Sequence, residues 1–180
     1  FDAYYYYLRG RESYDNRNKD ALKFFEKAVE LDPNFAIAHL YLANSLNWLF
    51  GVKAGDEAYK KAKNLSGRAT EKERLYIDGA YARIIERDYE KSFRIFTKMA
   101  KDYPKEKDAH FQLAVTCYGK GLYNQTIEEL IKALDLDPNN AKMLNWLSET
   151  YLISKNYEKA IEYYKKRISI YPINADILIH

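Results

Sequence analysis

Four prolines divide this chain at nearly regular intervals. Pro104, Pro138 and Pro172 are equally spaced, whereas the gap between Pro33 and Pro104 equals two of these intervals plus three positions. Because proline has no amide proton and clashes with the preceding turn, each of these residues is expected to end a helix. A fixed period of this kind indicates a stack of repeated structural units.

Between the prolines, apolar residues recur three and four positions apart, which is the pattern of an amphipathic helix. The stripe before Pro33 consists of Ala21, Leu22, Phe25, Ala28 and Val29. The stripe before Pro138 consists of Ile127, Leu130, Ile131 and Leu134. With only 7 Gly and 4 Pro, the chain lacks the turn residues of a many-stranded β protein. Each interval therefore predicts a helix, a turn and a second helix.

Several polar residues mark predicted helix starts. Asn34, Asn140 and Asn174 each follow a proline and are expected to cap the next helix, since an asparagine side chain can accept a hydrogen bond from a free amide of the first turn. Thr70 and Glu73 have the spacing of a capping box, which predicts a helix start where no proline is present.

These residues resemble the tetratricopeptide repeat, a helix–turn–helix unit of about 34 residues. In the first unit, the aromatic, leucine, small and proline positions of its signature are matched by Tyr5, Leu8, Ala21, Phe25, Ala28 and Pro33. In the fifth unit they are matched by Leu147, Ser148, Tyr151, Ala160, Tyr164 and Pro172. The resemblance covers nearly the whole chain and is weakest in the second unit, after an insertion near Gly51 to Gly55.

The resemblance implies an all-α fold, an α-α superhelix (solenoid) of about five repeats in a single domain over residues 1–180. The expected repeats are 2–34, 35–71, 72–105, 106–139 and 140–173, and a C-terminal capping helix is expected to start within 174–180. In such a stack, each repeat is expected to contact only its neighbours. Since the chain has no initiator methionine, we expect it to be part of a longer protein.

Composition argues against several kinds of partner and cofactor. The net charge of +3 arises from 29 basic and 26 acidic residues that are interleaved along the chain, which does not favour nucleic-acid binding. Cys117 is the one cysteine, so neither an intrachain disulfide nor a thiolate metal cluster can form. No cofactor or metal is therefore expected.

Residues 35–52 contain no charged side chain and approach the length of a membrane span. His39, Asn44 and Asn47 are costly in lipid, so a buried helix of the solenoid is the better interpretation and no membrane insertion is expected. No secretory signal pattern is visible, and a cytoplasmic location is expected.

No group of residues predicts catalysis. His39 and His110 fall on the first aromatic position of the repeat, where a side chain packs between helices, and no triad spacing surrounds them. Glu128 and Glu129 are expected to be solvated on the outer face of a second helix. The chain is therefore predicted not to be an enzyme.

In tetratricopeptide proteins the first helix of each pair lines a concave groove, and the resemblance implies the same here. The groove residues expected from that register are Tyr7, Tyr14, Tyr41, Asn44, Trp48, Arg74, Asp78, Tyr81, Phe111, Gln112, Tyr118, Lys142, Asn145, Trp146 and Glu149. Aromatic rings beside amides offer rigid apolar area and hydrogen bonds, which suit a peptide. The predicted function is a protein–protein interaction scaffold that binds a peptide or helix of another protein.

Two alternative functions remain open. The segments Tyr7 to Arg11 and Phe25 to Pro33 are similar to repeats that trail bacterial kinases and cyclases, so the chain could be a regulatory segment of a larger signalling enzyme. Self-association into a homo-oligomer through aromatic surface is the other alternative. The lysine, asparagine and arginine positions by which some members grip a C-terminal carboxylate are not matched in any register.

Overall fold

The structure, a computed structural model, describes residues 2–171, and within them it contains ten α-helices and no β-strand. The helices are α1 (Asp2–Asp15), α2 (Ala21–Leu31), α3 (Ala36–Phe50), α4 (Asp56–Leu65), α5 (Glu71–Tyr81), α6 (Tyr89–Asp102), α7 (Lys107–Gly119), α8 (Tyr123–Leu136), α9 (Ala141–Ile153) and α10 (Tyr157–Ile170). The predicted all-α class is confirmed. The capping helix expected from Asn174 lies outside the described residues.

The helices pack as consecutive hairpins. The most extensive contacts join α1 with α2, α3 with α4, α5 with α6, α7 with α8 and α9 with α10. Short connections make the two helices of each hairpin antiparallel, so the first helices of successive hairpins point the same way. A 3₁₀ turn (Ser66–Arg68) follows α4, and α5 continues as a π-helical turn (Ala82–Glu86).

The helix starts are capped largely as predicted. Thr70 and Glu73 form the full capping box of α5, and the Asn140 side chain accepts a hydrogen bond from the Met143 amide at the start of α9. The prediction for Asn34 is wrong. Its backbone amide donates to the Asp32 side chain instead, and α3 begins after Phe35 without a side-chain cap.

Small residues allow the helices of a hairpin to approach closely. Phe25 and Phe96 are fully buried against Gly10 and Gly79, and a Cβ atom added to either glycine would lie 2.5 Å from the phenylalanine ring. Real Cβ atoms do not approach so closely, so the glycines are required by packing. In contrast, Tyr5 and Leu8, which the repeat signature places at packing positions, are 56% and 48% exposed, because no described helix covers that side of α1.

The superhelix is wound so tightly that its first helix contacts the fourth and fifth hairpins. The Asp15 carboxylate at the end of α1 lies 2.7 Å from the Lys107 Nζ atom of α7 and 2.8 Å from the Lys142 Nζ atom of α9. Arg11 also pairs with Asp108. The expectation that each repeat contacts only its neighbours is therefore wrong, because ionic groups on the inner face attract one another across the superhelix axis.

No helix within the described range is both long and apolar enough to cross a membrane. The uncharged segment 35–52 forms α3 and the turn after it, and Leu40, Tyr41 and Ala43 are buried between neighbouring helices. This burial explains why the segment has no charged side chain.

Candidate functional site

One residue from each of α1, α3, α5 and α7 contributes to a polar cluster on the inner face. The Tyr41 hydroxyl donates to the Asp108 carboxylate at 3.2 Å, and the Arg11 guanidinium pairs with the same carboxylate while lying 4.8 Å above the Tyr41 ring. Tyr76 packs edge-on against Tyr41, with ring centres 5.7 Å apart. Burial raises the pKa of Tyr41 well above its ordinary value, so its hydroxyl stays a donor. We call these four residues the axial cluster, and they fill this part of the inner face.

A second set of buried polar groups continues from the axial cluster. The Gln112 side chain donates to the Tyr76 hydroxyl at 2.9 Å and accepts from Arg83 Nη2 at 2.7 Å. Arg83 Nη1 donates to the Thr116 hydroxyl at 3.0 Å, and Ser92 lies 3.2 Å from that hydroxyl. Burial lowers the pKa of Arg83, although nearby tyrosines oppose this effect. These buried groups fill the part of the inner face next to the axial cluster.

Another part of the inner face surrounds an open space instead. This cavity of about 620 Å³ is lined by residues from all five hairpins. We call it the inner cavity, and its lining residues are Tyr14, Arg17, Asn44, Asn47, Trp48, Val52, Tyr59, Arg83, Ile84, Arg87, Tyr89, Phe111, Gln112, Val115, Tyr118, Gly119, Lys142, Asn145, Trp146 and Glu149.

Aromatic side chains form much of the cavity wall, and they support one another. Trp146 packs edge-on against Phe111 and Tyr118, with ring centres 6.1 and 5.2 Å away. On the opposite side, Tyr14 packs edge-on against Trp48 at 6.3 Å. Such contacts hold the rings in place before any ligand arrives, which lowers the entropy cost of binding.

Amide side chains are held in place on the same wall. Asn47 Oδ1 accepts a hydrogen bond from the Gly55 amide at 2.7 Å, and Asn44 Oδ1 accepts from the Tyr59 hydroxyl at 2.5 Å. Asn145 donates to Glu149 at 2.8 Å. The oxygen atoms of Asn44 and Asn47 are thus already engaged, so these two amides face a ligand mainly as donors.

The charged groups of the cavity are mainly basic. Lys142 is 2% exposed, is paired with Asp15, and lies 4.6 Å from the ring centres of Tyr14 and Phe111. Arg17 stacks over Trp48 at 4.6 Å, and burial lowers its pKa. Burial raises the pKa of Glu149, an effect that the charge of Arg17 partly offsets.

The structure brings ten of the predicted groove residues together in the inner cavity: Tyr14, Asn44, Trp48, Phe111, Gln112, Tyr118, Lys142, Asn145, Trp146 and Glu149. Tyr7 and Tyr41 lie in the hydrophobic core instead, because the tight winding closes the inner face around them. Arg74, Asp78 and Tyr81 also lie outside the cavity. Asp78 pairs with Lys63 at 2.7 Å.

The different placement of the α5 residues has a local cause. Gly79 and the ring it contacts, Phe96, are two positions further apart in the sequence than the equivalent pair, Gly10 and Phe25. The π-helical turn adds length to this hairpin, so the α5 positions expected from the regular repeat register do not line the cavity. Arg83 and Arg87 line the inner cavity and follow Tyr76 at helical intervals. That spacing could have revealed them in the sequence.

The two histidines occupy equivalent packing positions, as predicted. His110 is buried, with Nδ1 2.7 Å from the Glu129 carboxylate and Nε2 3.1 Å from the Pro104 carbonyl oxygen. His39 Nε2 lies 3.0 Å from the Pro33 carbonyl oxygen. The expectation that Glu129 is solvated is wrong, because its side of α8 faces α7, whereas Glu128 is exposed.

Comparison with known sequences agrees with the repeat. Profiles described as tetratricopeptide repeat match residues 3–35, 107–140 and 130–162. The chain is 22% identical over 167 residues to the DnaJ homolog subfamily C member 7 homolog of Dictyostelium discoideum. That match covers 91% of this chain and 30% of the relative, so the chain spans under a third of the length of this curated protein.

Two solved structures share the helix arrangement. PilW, described as a widely conserved type IV pilus biogenesis factor, is similar with a TM-score of 0.59 and 19% identity, and the match covers 98% of this chain and 81% of PilW. YrrB, described as a TPR protein with an unusual peptide-binding site, has a TM-score of 0.54 and 21% identity, with 96% and 88% covered. At these identities the likeness concerns the fold.

Proposed function

The chain belongs to the tetratricopeptide repeat family, whose fold supports protein–protein interaction, and from this premise we propose that a partner protein binds in the inner cavity. The partner would insert side chains of a peptide segment or a helix between the aromatic walls. The YrrB structure, a peptide-binding member of similar fold, is consistent with this proposal.

The observation that carries the proposal is the set of supported aromatic rings around an open space. Trp48, Tyr118 and Trp146 are each only partly buried and line a cavity of about 620 Å³. Tryptophan and tyrosine are the side chains that most often dominate binding energy at protein interfaces. Concave, mainly apolar sites with a few oriented polar groups are also the usual form of a binding site.

We propose binding rather than catalysis at this site. Among the described residues that line the cavity, none is a serine, cysteine or histidine. The Glu149 carboxylate accepts a hydrogen bond from Asn145, and Lys142 is paired with Asp15, so neither lies beside a nucleophile. The cavity instead offers aromatic surface, amides and guanidinium groups, which recognise a ligand without reacting with it. The cytoplasmic location and the regulatory role beside an enzyme stay predictions.

Site-specific photo-crosslinking tests the proposal. Tyr118 in the cavity and Tyr157 on α10, which is 58% exposed and lies outside the cavity, are each replaced by p-benzoylphenylalanine in cells that express the protein. We expect a crosslinked partner from position 118 that is missing from position 157. A folded protein that gives no product at position 118 would contradict the proposal.

Self-association is a second candidate, favoured by apolar side chains on the outer side of the last hairpin. Tyr157, Ile161 and Ile168 of α10 are each at least 45% exposed. If copies pair through this surface, the crosslinker at position 157 will give a covalent dimer of the chain. The mass of that product distinguishes self-association from the binding of a different protein.

A further inference from the structure

The charges of the inner cavity point to a more specific ligand. Resting on the proposed function, we infer that the cavity selects a protein segment in which two acidic side chains stand beside apolar ones. Arg17 and Arg87 at the cavity edge would hold the acidic groups, and the buried Arg83 would add positive charge in the cavity wall.

The first argument is the imbalance of charge. The ionic lining groups are Arg17, Arg83, Arg87, Lys142 and Glu149. Asp15 already neutralises Lys142, which leaves three arginines and one carboxylate. None of the ion pairs found within residues 2–171 includes any of these arginines. Of these arginines, Arg83 is buried, Arg17 is partly buried and Arg87 is exposed. The cost of a buried cation without a counter-charge therefore falls on Arg83, while Arg17 and Arg87 are accessible to a ligand that brings negative charge.

The second argument concerns hydrogen-bond donors. The Asn44 and Asn47 oxygens accept hydrogen bonds from Tyr59 and Gly55, so the Nδ2 donors are what these amides can offer a ligand. The Arg17 and Arg87 guanidinium groups add further donors. A site with more donors than acceptors suits carboxylates and carbonyl groups.

The helix ends oppose this preference only weakly. The carboxyl ends of the first helices, which carry partial negative charge, lie near the cavity. However, the hairpin turns fold back onto them. The Asn18 amide donates to the Ser13 carbonyl oxygen at 2.9 Å, and the Leu122 amide donates to the Cys117 carbonyl oxygen at 2.9 Å. These bonds satisfy carbonyl groups at the helix ends, whereas the full charges of the arginines remain.

The hairpin turns that hold the two edge arginines supply a control for this inference. Arg17 and Arg87 have φ angles of 58° and 59°, a left-handed conformation that favours glycine. The corresponding turn of the fourth hairpin does use a glycine, Gly121, at φ 75°. Lys155 occupies the same conformation in the fifth hairpin, at φ 60°, but does not line the cavity. It therefore provides a matched control, with the same turn position and the same charge.

The shape and charge of the cavity favour side chains over a chain end. Gln112 and Arg83 in the cavity wall are buried and hydrogen-bonded to each other, and Gln112 is also bonded to Tyr76, so we expect a segment to lie across the opening rather than to pass between these groups. A single C-terminal carboxylate would balance only part of the excess positive charge. Two acidic side chains on one segment balance it more fully while apolar neighbours contact the aromatic walls.

Tryptophan fluorescence provides a direct test, because the chain has 2 Trp and both line the cavity. The probes are two pools of acetylated, amidated hexapeptides. Their two central positions are glutamate in one pool and glutamine in the other, and the outer positions are mixtures of leucine, phenylalanine and alanine. We expect the glutamate pool to bind about tenfold more tightly at low salt, and this preference to shrink at about 0.15 M salt.

Variants connect the preference to the proposed residues. The double change Arg17→Gln and Arg87→Gln should remove most of the glutamate preference, whereas Lys155→Gln should keep it.

Equal binding of the two pools to the native protein would overturn the acidic preference and leave cavity binding intact. If a glutamine pool with a free C-terminus binds as tightly as the glutamate pool, a chain end is the ligand and the inference is wrong. If neither pool binds while position 118 still crosslinks a partner, only this inference fails.

Discussion

The two halves of the inner face use the same first helices and differ in what fills the space between them. In the filled half, large side chains such as Tyr41 and Tyr76 meet Arg11 and Asp108 at the axis. In the open half, aromatic side chains such as Trp48 and Trp146 line the wall and leave a cavity between them. A side chain that faces inward in a repeat protein is therefore not necessarily available to a ligand, since tight winding can convert groove into core.

The largest expected effect comes from the filled half. Asp108 is buried and accepts from both Arg11 and Tyr41, so Asp108→Ala leaves the partly buried Arg11 guanidinium without its partner. We expect a loss of about 3–5 kcal/mol in the free energy of unfolding. Urea denaturation measures it, with Asp135→Ala, at an exposed position of α8, as the control. A loss below about 1 kcal/mol would mean that the axial cluster does not hold the two sides together.

A smaller loss is expected at the junction between α1 and the last two hairpins. Asp15→Asn removes the charge that attracts Lys107 and Lys142, which should cost about 2 kcal/mol and loosen the winding. The radius of gyration from small-angle X-ray scattering should increase. An unchanged radius together with unchanged stability would show that the contact of α1 with α9 does not depend on these ion pairs.

The same junction predicts a pH dependence. Burial acts to raise the pKa of Asp15, but Lys142 and Lys107 outweigh it and hold the pKa well below its ordinary value of 3.8. A depressed pKa in the folded state means that the stabilisation is complete above about pH 4–5 and is lost as the pH falls further. The stability difference between the native protein and Asp15→Asn should therefore be constant from about pH 7 to about pH 5 and shrink below it. Urea denaturation across this range measures the difference, and one that is independent of pH would contradict the assignment.

In the open half, substitutions should affect binding more than stability. Tyr118→Ala removes a partly buried ring that supports Trp146, so the expected loss of stability is about 1 kcal/mol. The affinity for a cavity ligand should fall at least about tenfold, the size of effect typical of an interface hot spot. Fluorescence titration and urea denaturation measure the two quantities, and Tyr157→Ala on the outer surface should change neither by a comparable amount.

How far these differences could be predicted from the sequence depends on the range of the interactions. The helices and the capping box at Thr70 follow from local spacing, and they are confirmed. The groove positions follow from the family resemblance and stay a prediction. The winding depends on pairs such as Asp15 with Lys142, which are 127 positions apart and have no local signal. The α5 positions depend on a π-helical turn that a regular repeat period cannot reveal.

The smallest effect on stability is expected when the open half is filled on purpose. Val115 on α7 lines the inner cavity and is partly buried, and it packs, like Trp146, against the hydrophobic core of the last two hairpins. In Val115→Tyr the larger ring can enter empty space rather than packed core, so the free energy of unfolding should change by less than about 1 kcal/mol. Binding should nevertheless be lost, and acrylamide should quench the two tryptophans less. Large destabilisation would mean that the cavity is too tightly walled to accept a side chain, which would also argue against a ligand there.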